Sequence, residues 1–143
     1  MSARAIWSGI FLLVANAACG TDVAPPSEPP SFPADPDQTL ASDSGQLSIA
    51  VRYAPDPPSV GTGAAQLTFT DASGAAISGF DLTVIPWMPA HGHGTSVNPT
   101  ITETAPGTFL AMPLYLFMPG SWELRMTISG TVDDTAKATF EIP

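Results

Sequence analysis

From Gln46 to the C-terminus, apolar and polar residues alternate in short runs. This period of two puts successive side chains on opposite faces of an extended strand. Leu47, Ile49, Val51 and Tyr53 alternate with Ser48, Ala50 and Arg52 until Pro55-Asp56-Pro57-Pro58 stops the run. Leu67 and Phe69 form a second such run, ended by Asp71-Ala72-Ser73-Gly74, and Phe80, Leu82, Val84 and Pro86 share one face of a third. Thr100 to Thr104 is a short polar strand candidate, and Ala105-Pro106-Gly107 turns it into a run from Thr108 towards Phe117. Pro113 marks that run as an edge or bulged strand, because proline has no N–H for a ladder. Trp122, Leu124, Met126 and Ile128 give the cleanest alternation, and Ala136, Ala138, Phe140 and Ile142 give the last. No stretch carries the 3.6-residue stripe of an amphipathic helix. About seven short strands separated by turns predict an all-β domain, an immunoglobulin-like antiparallel β-sandwich over residues 46–143.

The N-terminal part has a different pattern. Residues 1–18 place Arg4 before an apolar run from Ala5 to Ala15, with Asn16-Ala17-Ala18 ahead of Cys19. That arrangement reads as a signal peptide for export. The run falls short of the roughly 20 apolar residues that a membrane span needs. Cys19 is the only cysteine of the chain. It has no intramolecular partner for a disulfide, and an odd cysteine in an exported protein calls for another role. Ala17-Ala18-Cys19-Gly20 resembles a bacterial lipobox, with Asn16 where leucine is usual, which makes Cys19 a lipidation site. Cleavage before Ala18, leaving a free thiol, is the alternative. Residues 19–45 are rich in proline and acid, with Pro25, Pro26, Pro29, Pro30, Pro33 and Pro36 among Asp22, Glu28, Asp35 and Asp37. So little apolar surface predicts a disordered stalk with polyproline character.

Charge narrows the function. Thirteen acidic residues against four basic ones give a net charge of -9. Phosphate binding needs clustered Lys and Arg, so nucleic acid is excluded as a partner. Contact with the membrane is expected through a lipid anchor only. The expected location is the bacterial cell envelope, in the periplasm or on the outer membrane.

The chemistry concentrates in Pro86-Trp87-Met88-Pro89-Ala90-His91-Gly92-His93-Gly94, which holds both histidines. Imidazole binds several first-row metals, whereas thioether sulfur selects soft Cu(I). His91 and His93 at i, i+2 point the same way on extended backbone, and Met88 lies three residues upstream. The Trp87 indole is placed to shield a bound ion. Trp122 is expected as the central core aromatic and Met126 as core filling. Met112 stays ambiguous, because a bulge at Pro113 hides which face it uses. Met118 reads equally as a ligand or as a cap on the core ahead of Trp122.

These motifs resemble a family. Met88-Pro89-Ala90-His91-Gly92-His93, then Gly107-Thr108-Phe109, then Phe117-Met118-Pro119-Gly120-Ser121-Trp122-Glu123-Leu124 are similar to a YtkA-like domain, related to the FixH group, over roughly residues 46–142. Many relatives have a Met-Gly-His loop where Ala90-His91 stands here. The resemblance implies an exported or tethered β-sandwich near copper handling, with Met88, His91 and His93 on one limb of a metal site and Met118 on the other. Met112 is the alternative completing ligand. The expected cargo is copper, Cu(I) or Cu(II), for carriage, buffering or delivery, with a copper-donor or copper-acceptor protein as partner. The alternative is an envelope interaction module whose His-Gly-His loop contacts a protein without metal.

Enzymatic readings are poor, and no enzyme is expected. Ser96 near His93 is too generic for a nucleophile–base pair. Two histidines do not supply the three protein ligands of a catalytic zinc site.

Overall fold

The computed structural model describes residues 28–143, so the signal peptide, Cys19 and the first part of the Pro-rich segment lie outside the described residues. The described chain forms strands β1 (Gln38–Ala41), β2 (Ser48–Ala54), β3 (Gly61–Thr70), β4 (Phe80–Met88), β5 (His93–Gly94), β6 (Thr100–Ala105), β7 (Thr108–Leu116), β8 (Gly120–Gly130) and β9 (Asp134–Ile142). They make two antiparallel sheets, one of five strands in the order β1-β2-β3-β7-β6 and one of four in the order β5-β4-β8-β9.

The alternation seen in the sequence becomes the inner face of each sheet. Ile49, Val51, Leu67, Phe69, Ala111 and Leu114 are buried from one side, and Val84, Leu124, Met126, Ile128 and Ala138 from the other. Each of the larger side chains gains about 1.5–3 kcal/mol by leaving water. At one end of the sandwich Phe69, Phe80 and Phe109 pack together with ring centroids 5.1–5.6 Å apart. Two of these contacts are edge-to-face, the arrangement the ring quadrupoles favour. Gly107 closes this end. Its φ of +72° suits glycine, and a Cβ there would sit 2.9 Å from the Phe69 carbonyl oxygen.

The structure adds two strands to the expected seven. β1 lies inside the segment expected to be a disordered stalk. It pairs with β2 from Gln38↔Val51 to Ala41↔Ser48, and the turn beyond it is tied to β9, with Asp43 N–H donating to the Thr135 carbonyl and Ser44 to the Asp134 carboxylate. Gln38 donates to the Tyr53 hydroxyl, and burial with the nearby Asp37 charge pushes the Tyr53 phenol well above its ordinary range. The other addition, β5, contains His93. Of the edge or bulge expected at Pro113, the structure has the bulge. The strand around it is not an edge, since β7 lies between β3 and β6. The bulge is real: partners shift between Gly63 and Ala65, so the inward positions change from Phe109 and Ala111 to Leu114 and Leu116.

Candidate metal centre

Residues 89–92 form a turn that joins β4 to β5. The Met88 carbonyl accepts hydrogen bonds from the His91 and Gly92 amides at 3.1 and 3.0 Å. Gly92 takes a φ of +66°, which costs glycine little. The chain then returns along β4, with Trp87 opposite Gly94 and Met88 opposite His93. Both imidazoles are exposed, and their ring centroids lie 5.6 Å apart. His93 Nδ1 lies 3.1 Å from the Gly94 carbonyl oxygen. A carbonyl only accepts, so the contact puts the proton on Nδ1 and leaves Nε2 with a free lone pair.

The ring spacing does not exceed what a single ion allows. A ring nitrogen binding a first-row metal at about 2.0–2.1 Å puts its ring centroid about 3.2 Å from the ion, so two rings on one ion have centroids no more than about 6.4 Å apart. The observed spacing lies inside that limit. Among the described residues no group of three His, Cys, Asp or Glu side chains comes together. With no third side chain of those types beside the pair, the methionine thioethers are the soft donors to place.

The three methionines expected as candidate ligands occupy different places. Met118 lines a cleft of about 370 Å³ together with His93, Val97, Tyr115, Phe117 and Trp122. It also packs on the core, which is the capping reading of the two. Met88 points inward, only 2% exposed, and its Cε lies 2.9 Å from where a Cβ of Gly120 would stand. It anchors the turn from inside the sandwich. Met112 is 37% exposed beside the bulge and is not among the residues that line the cleft. Met126 is core filling, as expected.

Trp87 lies on the outer face of the four-stranded sheet, against Gly94, not over the histidines. The Arg125 guanidinium stacks on it, 4.4 Å from the ring centroid. Arg125 and Lys137 both pair with Glu123, at 2.8 and 3.2 Å. Burial alone would raise the Glu123 carboxyl, but hydrogen bonds from Arg125 and Lys137, and their charges, outweigh it and hold it below the usual carboxylate range. Trp122 is buried as expected, but at the cleft end, where its Nε1–H donates to the Met118 carbonyl at 2.9 Å. That bond fixes the start of β8 and with it the backbone of Met118.

Sequence reasoning missed the wall of the cleft. Phe117 is 61% exposed and Val97 51%, and Tyr115 stacks on Phe117 with centroids 5.5 Å apart. The signal for Phe117 was its parity, since it follows the inward Leu116 and must point out.

The YtkA-like family model matches residues 42–127, a span that contains the histidine turn, the cleft wall and Met118. The chain belongs to the YtkA-like family. No curated protein and no solved structure matches it. Within this YtkA-like domain the matched span runs from the turn after β1 to most of β8, and β9 completes the second sheet beyond it.

Proposed function

We propose that this YtkA-like domain binds one copper ion through His91 and His93, with the Met118 thioether as the soft third donor, and carries, buffers or delivers it outside the cytoplasm. The observation that carries the reading is the exposed imidazole pair at 5.6 Å, with His93 Nε2 free and Met118 in the same cleft as His93. Copper is the metal for which imidazole and thioether act together, the sulfur favouring Cu(I). The set leaves out Met88, which is buried in the core, and Met112, which is far from the turn in sequence and, like His91, not in the lining of the cleft. An exposed site exchanges ligands with a copper-donor or copper-acceptor protein, which suits transfer. The chemistry is binding and release, not catalysis. Export by residues 1–18 and lipidation at Cys19 would hold the domain at the cell envelope.

The test is a titration of the purified chain with Cu(I) against a competing chelator. Wild type should take copper from the chelator, and a His91→Ala/His93→Ala double variant should not. Equal behaviour of the two proteins removes the copper reading. Mass spectrometry of the mature N-terminus would read lipidated Cys19 directly, and an unmodified chain beginning at Ala18 would refute the anchor. The exposed Phe117 and Val97 favour a second reading, in which the same end of the sandwich contacts a protein without metal. A wild-type chain that takes up no copper would leave that reading in place.

A further inference from the structure

The outer face of the four-stranded sheet carries one continuous line of contacts that ends beside the histidines. Lys137 on β9 and Arg125 on β8 both hold the Glu123 carboxylate. Arg125 stacks on Trp87 of β4, and Trp87 Cε3 lies 3.4 Å from where a Cβ of Gly94 would stand on β5. The line therefore crosses all the strands of that sheet. Two of the three basic residues in the described chain are used in it, at a single carboxylate, in a strongly acidic protein. An isolated surface ion pair contributes about 0–1 kcal/mol, whereas here one carboxylate joins two cations and a ring into a network that spans the sheet.

The end of the line has a specific position. β5 is two residues long and pairs with β4 at Trp87↔Gly94 and Met88↔His93, and the Thr95 N–H just beyond it donates to the Pro86 carbonyl at 3.4 Å. Gly94 has no side chain to anchor it, and its carbonyl is the group that receives His93 Nδ1. A site Cβ would stand 2.6 Å from the Pro86 carbonyl oxygen, so the strand closes on β4 only with glycine here, under the Trp87 ring.

We propose that Trp87 and Arg125 are positioning residues of the histidine pair: with Glu123 holding the guanidinium, they clamp Gly94 and keep the His93 ring in the Nδ1–H tautomer with Nε2 free. This goes beyond the copper reading and depends on it only for the consequence in affinity. Groups that orient a metal-binding imidazole through its second nitrogen typically change affinity 10–100-fold when removed.

The test reads the His93 tautomer in the metal-free chain by long-range proton–nitrogen NMR, and Cu(I) affinity by chelator competition. Wild-type His93 should be protonated at Nδ1. Trp87→Leu and Arg125→Gln should each give a mixture of tautomers and bind Cu(I) about tenfold more weakly, whereas Arg125→Lys, which keeps a cation over the ring, should retain both properties. Ile128→Val, a core change at the far end of β8, should lower stability and leave both readouts alone. Wild-type tautomer in Trp87→Leu and Arg125→Gln overturns the proposal, as does the same tautomer shift in Ile128→Val. If the shift occurs but wild type itself takes up no copper, the copper reading falls and the positioning of His93 stands. If wild type takes up copper and the shifted variants match its affinity, the link from clamp to affinity is overturned.

Discussion

The two ends of this sandwich use similar side chains to opposite effect. At one end Phe69, Phe80 and Phe109 turn their rings onto one another and are at most 8% exposed. At the other, Tyr115, Phe117, Trp122 and Met118 surround an open cleft, and Phe117 is 61% exposed. The difference arises from the connections. The closed end has Gly107 folded back against the Phe69 carbonyl and a latch between the 42–44 turn and β9. The open end has a two-residue strand and a turn built on Met88. Apolar surface is hidden where the connections close over it and left for a ligand or partner where they do not.

Breaking the closed end should have the largest effect. Phe109→Ala removes a ring from the three-membered aromatic cluster and should cost about 3–5 kcal/mol, read as a lower urea midpoint. Met88→Leu comes next. If Met88 is an anchor and not a ligand, a volume-conserving exchange should cost less than about 1.5 kcal/mol and leave copper uptake intact; loss of uptake with the fold retained would return Met88 to the ligand set. Phe117→Ser at the open end should stay within about 0.5 kcal/mol of wild type, and a large loss would mean that the cleft wall supports the fold.

The smallest effect should be on pH dependence, and it belongs to the closed end. Hydrogen bonds from Ser44 and Ser42 hold the Asp134 carboxyl down at about 2. An aspartate in the unfolded chain titrates near about 3.9. The carboxylate therefore stabilises the fold above about pH 4, and this contribution is lost as pH falls towards about 2. Asp134 is half-exposed at the edge of the turn, and solvent screening keeps the effect small. Asp134→Asn should flatten the stability profile in that window only, and an unchanged slope would refute the latch.

Most of the fold was visible in the alternation, because both sheets bury one face and the buried strand positions on that face are apolar. β8 and β9 could be read almost residue by residue from Trp122 to Ile142. β1 could not, since Gln38-Thr39-Leu40-Ala41 holds one large apolar residue after a run of prolines and is secured by its backbone ladder to β2. β5 could not either, because two residues carry no period. The site was half visible. The parity of Phe80, Leu82, Val84 and Pro86, carried one step further, puts Met88 inside and Trp87 outside. Met118 lies between strands, where no period applies, and only the tertiary arrangement brings it to the cleft of His93.

β1 runs from Gln38 opposite Val51 to Ala41 opposite Ser48, and Ser48 pairs with Thr70 near the Phe109 end. The preceding chain, tied by Ala34 to Arg52 and by Asp37 to Tyr53, thus arrives from the side of the histidines. A pull through that segment meets the β1 ladder lengthwise, so its hydrogen bonds share the load instead of opening one after another.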